Sequence, residues 1–198
     1  MELIFHLFIL IPLIGFLVSL ITPARKETLL SAVVYTTVGI HWLVLLGFSG
    51  YWLFSGQQMI NVKDVSLYQS EDYAFFIDFY FDKISVVYLL TGAFITFLVT
   101  IYSRYYLHRE TGYKRFFNTM LFFYLGYNIT ILAGNFETMF VGWEIIGLSS
   151  FLLIAFYRDR YLPVKNAIKV FSVYRIGDIG LILAMWASHH LWHQNITF

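Results

Sequence analysis

The sequence predicts an all-α fold, a polytopic membrane helix bundle of about six transmembrane helices. Three observations carry that prediction. The 198-residue chain is 59% hydrophobic and 21% aromatic. Only 13% of it is charged, too little to clothe a soluble surface. Apolar runs of about 20 residues, the length that crosses a ~30 Å hydrocarbon core at ~1.5 Å per residue, recur along the whole chain. Residues 1–198 are therefore read as a single transmembrane domain, with 55–81 as a loop outside it.

The runs, in order, are Leu3–Ile21, Leu29–Phe54, Ile84–Tyr102, Phe116–Ala133, Phe136–Tyr157 and Ala167–Ala187. The first has the look of a signal peptide, but its amino-terminal side lacks positive charge and no small-x-small cleavage site precedes Arg25. It is read as a retained span. Arg25 and Lys26 follow the first run, Arg104, Arg109, Lys114 and Arg115 lie between the third and fourth, and Arg158, Arg160, Lys165 and Lys169 lie between the fifth and sixth. All of these fall on one side of the membrane. Loop 55–81 falls on the other, with Asp64, Glu71, Asp72, Asp78 and Asp82 at or near it against Lys63 and Lys83. The positive-inside rule then makes the amino terminus external and the basic loops cytoplasmic.

Polar and apolar residues alternate from Tyr73 to Phe81, the period of a short strand or an amphipathic ribbon at the interface. No soluble domain, phosphate-binding glycine loop or nucleophile elbow is visible, and no catalytic centre is read in this chain. Gly126 and Gly134 read as close-packing positions within helices. The net charge of +1 gives no field for nucleic acid. RYYLHRETGYKRFF interleaves aromatics with cations, but at a helix boundary that pattern reads as an aromatic belt with snorkelling cations. The chain has no Cys, which excludes disulfides, thiolate metal sites and iron–sulfur ligation.

Chemistry is concentrated in two helices. The stretch FVGWEIIGLSSFLLI carries a single ionisable group, Glu144. It lies 13 residues from Tyr157, close to the middle of the bilayer. An acidic residue at a helix centre costs roughly 2.5 to 3.5 kcal/mol to insert, so Glu144 must face the bundle interior, pair with a cation or stay protonated. One reading is a protonated carboxyl making an interhelical hydrogen bond; the other is a proton site or half of an ion pair. In FSVYRIGDIGLILAMW, Arg175 and Asp178 stand three apart, hence on one helical face. Asp178 lies about 17 Å and Arg175 about 12 Å beyond Ala167, which sets Asp178 near the depth of Glu144 on a neighbouring antiparallel helix. The pair either clips two helices together or joins Glu144 in a functional cluster. Glu144 has no obvious cation of its own in the sequence.

His41 and Lys169 are accessory candidates. A lone membrane histidine is more often a hydrogen-bonded packing residue than a ligand, and a bis-histidine haem site needs a second one on a facing helix. His6 and His108 lie at other levels, while His189, His190 and His193 cluster just past the sixth run. His189 and His193 have metal-compatible spacing, but with no third ligand nearby the better reading is an interfacial helix end. No metal or cofactor site is expected.

FVGWEIIGLSSFLLIAFY followed by KVFSVYRIGDIGLILA resembles the amino-terminal region of the antiporter-like membrane subunits of respiratory complex I, in the style of its subunit L. DFYFDKISVVYLL, IYSRYYLHRETGYKRFF and ILAGNFETMFVGWE match that family in order and spacing. The wider family includes multi-subunit cation/proton antiporter subunits and the membrane partner of two-part inorganic-carbon uptake systems. YRDRYLPVKNAIKVFSVYRIGD and ASHHLWHQN resemble the carbon-uptake branch more closely.

The resemblance implies a proton-translocating subunit that conducts through buried charged residues and carries no redox centre or cofactor. It implies that Glu144 pairs with a lysine on a following helix, and that Arg175 and Asp178 tune or relay that switch. It also implies a bacterial inner membrane, other membrane subunits and possibly a large soluble partner in one complex, with protons as cargo and no nucleic acid. Family members are more than twice as long. The chain is therefore expected to be the amino-terminal portion of a longer subunit, or to depend on other chains for the rest. A non-conducting membrane scaffold is the alternative of another class.

Overall fold

The computed structural model describes residues 2–56, 59–69, 74–192 and 197. Six helices form: α1 (Glu2–Ile21), α2 (Glu27–Phe54), α3 (Lys83–Tyr106), α4 (Tyr113–Leu132), α5 (Phe136–Ile154) and α6 (Tyr161–Trp192). A hairpin of β1 (Ile60–Gln69) and β2 (Ala74–Phe81) joins α2 to α3. Each expected apolar run is found within one helix or ends a few residues beyond it. Helices α2, α3, α5 and α6 are long and apolar enough to cross a membrane by themselves. Helix α4, with Lys114 and Arg115 in its first turn, instead lies at the centre of the bundle, packed on α1, α2, α3 and α5.

Helix boundaries have local causes. Asp82 caps α3 by accepting hydrogen bonds from the Ser85 backbone N–H at 2.8 Å and its hydroxyl at 3.0 Å. Asn135 caps α5 by accepting from the Thr138 N–H at 2.8 Å. Helix α4 begins after Gly112, whose φ of 108° is in the left-handed region that favours glycine. The basic loops do more than snorkel. Lys114 donates to the Leu20 carbonyl at 2.8 Å and Arg115 to the Phe156 carbonyl at 2.7 Å, so cations occupy the carboxy-terminal ends of α1 and α5, where they complement the helix dipole. Helix α5 ends at Ile154, with Ala155 as its cap, rather than at Tyr157.

The alternation expected near Phe81 is strand β2, paired antiparallel with β1 from Ile60↔Phe81 to Gln69↔Ala74. Tyr73, Glu71 and Asp72 lie outside the described residues. The hairpin is no free external loop. Phe81 is fully buried and packs edge-on against Phe48 and Trp52, with Phe8 of α1 stacked beside it. The Gly134 N–H donates to the Asp78 carbonyl at 2.7 Å, and Asn135 reaches the Phe76 carbonyl at 2.9 Å. These bonds tie the hairpin to the α4–α5 connection. Asp78, counted from the sequence among external charges, is fully buried, its N–H donating to Thr138 Oγ1 at 3.1 Å.

His41 is fully buried between α2 and α4, its Nδ1 hydrogen-bonded to Tyr124 Oη at 2.5 Å. The Phe8 ring of α1 meets it edge-on, with ring centroids 6.2 Å apart. The histidine thus joins three helices, the packing role that a lone membrane histidine suggests.

Candidate functional site: the charged cluster between α5 and α6

Glu144 lies eight residues from the start of α5 and ten from its end, so about 12 Å and 15 Å of helix flank it. Helix α6 runs back antiparallel beside α5 and brings Arg175 opposite. Close approach depends on Gly147, where a Cβ would stand 2.2 Å from the Tyr174 ring. Tyr174 stacks on Trp143 with centroids 5.3 Å apart, and its hydroxyl donates to the Trp143 carbonyl at 2.6 Å.

On that scaffold one cation meets two acids. Arg175 Nη1 donates to Glu144 Oε1 at 2.7 Å and Oε2 at 2.6 Å, and to Asp178 Oδ2 at 3.2 Å. The other Asp178 oxygen, Oδ1, accepts from Trp143 Nε1–H at 3.0 Å. The Arg175 guanidinium lies 4.8 Å from the Phe171 ring centroid, a cation–π contact. Asp178 is buried, Glu144 half-buried and Arg175 the most exposed of the three. With both acids ionised the cluster carries a formal charge of −1. Such a site attracts a proton or a cation.

The structure therefore brings together Glu144, Arg175 and Asp178 and corrects one expectation about them. Glu144 has a cation in this chain, Arg175. The sequence placed Arg175 and Asp178 on one face but said nothing of the rotation of α6 about its axis, which decides what Arg175 touches. Lys169 is six residues, about 9 Å, nearer the basic end and is exposed, outside the cluster. His41 belongs to the α1–α2–α4 core, away from α5 and α6.

Three contributors escaped the sequence reading. Trp143 and Tyr174 each adjoin a cluster member in sequence, and an aromatic with a polar handle beside a buried charge is a legible signal. Glu137 is seven residues, two helical turns, before Glu144 and so on the same face of α5. It is 7% exposed.

Residues 68–117 match the family described as NADH-ubiquinone oxidoreductase (complex I), chain 5 N-terminus. Residues 133–195 match the one described as NADH:quinone oxidoreductase/Mrp antiporter, TM. Subunit L of NADH-quinone oxidoreductase from Escherichia coli (strain K12) is 32% identical over 186 residues, covering 92% of this chain and 30% of that protein. NADH-ubiquinone oxidoreductase chain 5 from Phoca vitulina is 29% identical over 164 residues, covering 83% of this chain and 27% of that protein. The chain thus spans less than a third of the length of these relatives. A chain in the structure of the membrane-bound sulfane sulfur reductase, an archaeal respiratory membrane complex, has the same fold, with a TM-score of 0.78 at 17% identity, covering 94% of this chain and 37% of that one. From its apolar helices and these matches together, the chain is an integral membrane protein that belongs to the family of antiporter-like membrane subunits represented by complex I chain 5 and subunit L.

Proposed function

We propose that the chain is part of a proton-translocating membrane subunit, and that Glu144, Arg175 and Asp178 form its exchangeable ion pair. The observation that carries this reading is the single guanidinium nitrogen shared by two carboxylates at mid-helix. Arginine keeps its charge at any physiological pH, so it serves as the switch and the acids serve as the proton sites. While Arg175 sits on Glu144, that carboxylate has its counter-charge. When Arg175 moves onto Asp178, Glu144 loses that counter-charge and becomes the site open to a proton. A proton bound in one state is released in the other. The step forms and breaks a single O–H bond and needs no redox group in this chain.

The basic loops support an orientation with those loops cytoplasmic and the hairpin external, in a bacterial inner membrane. Partners are other membrane subunits, as in the complexes to which the relatives' names refer. The second matched family names antiporters beside quinone oxidoreductases, which favours a cation/proton antiporter assembly as the runner-up. An inorganic-carbon uptake complex and a non-conducting scaffold are further outcomes. Glu144→Gln in the native complex, reconstituted into vesicles, is expected to abolish proton flux while the subunits still assemble. Unchanged flux would reject conduction through Glu144. Mass spectrometry of what co-purifies separates the assemblies: quinone-reductase subunits, antiporter subunits or a large soluble partner without redox subunits.

A further inference from the structure

The seam between α5 and α6 holds a second polar station. Glu137 in the first turn of α5 is buried, and its Oε2 has no hydrogen-bond partner among the described residues. It lines a groove of about 320 Å³ together with His189, across an apolar wall of Phe140, Ile182, Met185 and Trp186. The spacing is that of one continuous stripe. Glu137 is two turns from Glu144, about 10 Å, and on α6 the positions of Asp178, Ile182, Met185 and His189 recur on one face. Because the helices are antiparallel, Glu137 and His189 meet at the hairpin end, and the groove runs from them toward the charged cluster.

A buried carboxyl with an unsatisfied oxygen is costly unless something visits it. The groove has room for several waters, and its Glu137–His189 end supplies the polar partners that a held water needs. Among the described residues, the other titratable groups near its mouth are His190, whose ring stacks on Trp186 at 5.2 Å, and Asp78 of the hairpin, bonded through its N–H to Thr138 in the same turn as Glu137. Neither lines the groove, whereas Glu137 and His189 do.

We infer that Glu137 and His189 form a proton-exchange station at the hairpin-side mouth of the α5–α6 seam, through which protons pass by way of groove water between that membrane face and the Glu144–Arg175–Asp178 cluster. This deepens the reading of the cluster as a proton site and rests on it. A proton binds at Glu137 Oε2 or the His189 imidazole, and leaves as an O–H bond forms on a neighbouring water.

Residues 1–198 contain no cysteine, which allows a direct test in the native complex: a thiol introduced here is the sole one in this segment, and the unsubstituted complex gives the background labelling. Met185→Cys places a thiol in the groove, and Leu183→Cys places one on the opposite, exposed side of α6. A charged, membrane-impermeant thiosulfonate is expected to label Cys at 185 at least tenfold faster than at 183, and only from the hairpin side. Equal labelling rates would mean a dry groove and would overturn the inference. In vesicles, Glu137→Gln is expected to lower proton flux at least fivefold with assembly intact, and Glu137→Asp to restore part of it. If Glu144→Gln abolishes flux while Glu137→Gln leaves it unchanged, the station fails and the cluster stands. If Glu144→Gln leaves flux unchanged, both fail.

Discussion

Arg175 Nη1 serves three carboxylate oxygens at once, and a small rotation of its side chain redistributes them. A lysine ammonium offers similar charge on a shorter and more strongly hydrated stem, without the planar fork. Arg175→Gln is expected to lower proton flux at least tenfold and Arg175→Lys to retain a measurable part, read in vesicles containing the assembled complex. Equal loss in both variants would make shape rather than charge the deciding property. At this scale the sequence was half legible. The three-residue spacing of Arg175 and Asp178 is a local fact, readable because the helical period is fixed. That Arg175 also reaches Glu144, thirty-one positions away, depends on how two helices rotate about their axes, and nothing local encodes that rotation. Asp78 escaped for a related reason. A carboxylate in an acidic loop looks solvated until the loop folds down onto Gly134 and Thr138.

Helix α5 is held between α4 and α6, with small residues on both sides. A Cβ on Gly142 would meet Thr130 Oγ1 at 2.4 Å and the Thr130 backbone nitrogen at 2.6 Å, whereas on Gly147 it would meet only the Tyr174 ring, at 2.2 Å. Backbone cannot step aside as a ring can. Gly142→Ala is therefore expected to be the more destabilising, beyond the roughly 1–3 kcal/mol typical of overpacking. Gly147→Ala is expected within that range. Gly180→Ala, with no atom within 4 Å, is expected to change little. Thermal unfolding of the three variants in detergent checks the order, and a Gly180 variant as unstable as Gly142→Ala would contradict it. The helices themselves were legible because each apolar run is bounded by charges or by a capping residue, such as Asp82 or Asn135. The first strand was not, since INVKDVSLYQ mixes apolar, charged and polar residues without a clean alternation, and its pairing with β2 is broken by two register shifts.

Across the whole molecule, the hairpin packs on α3, α4 and α5, whereas the charged seam lies between α5 and α6. Aromatic rings from α1, α2 and β2 close one end of the bundle around Phe81. Phe81→Ala is expected to cost about 3–5 kcal/mol, the usual range for deleting a fully buried ring. Limited proteolysis should then cut the hairpin well before the helices. A hairpin as resistant as in the unsubstituted protein would show that the backbone bonds to Gly134 and Asn135 suffice.

The 32 residues of α6 have a further consequence. A helix of that length extends about 48 Å, well beyond a ~30 Å hydrocarbon core, so it must lean or project on at least one side. Among the described residues it is packed substantially on α5 alone. Arg175 is fourteen residues from one end and Asp178 fourteen from the other, which makes the cluster the fulcrum of a lever. A push of several ångströms on either projecting arm becomes a displacement of a fraction of that at the pivot. Hydrogen bonds of 2.6–3.2 Å are sensitive to such a displacement, so force applied outside the bilayer can be geared down to the scale of the proposed exchange of Arg175 between acids.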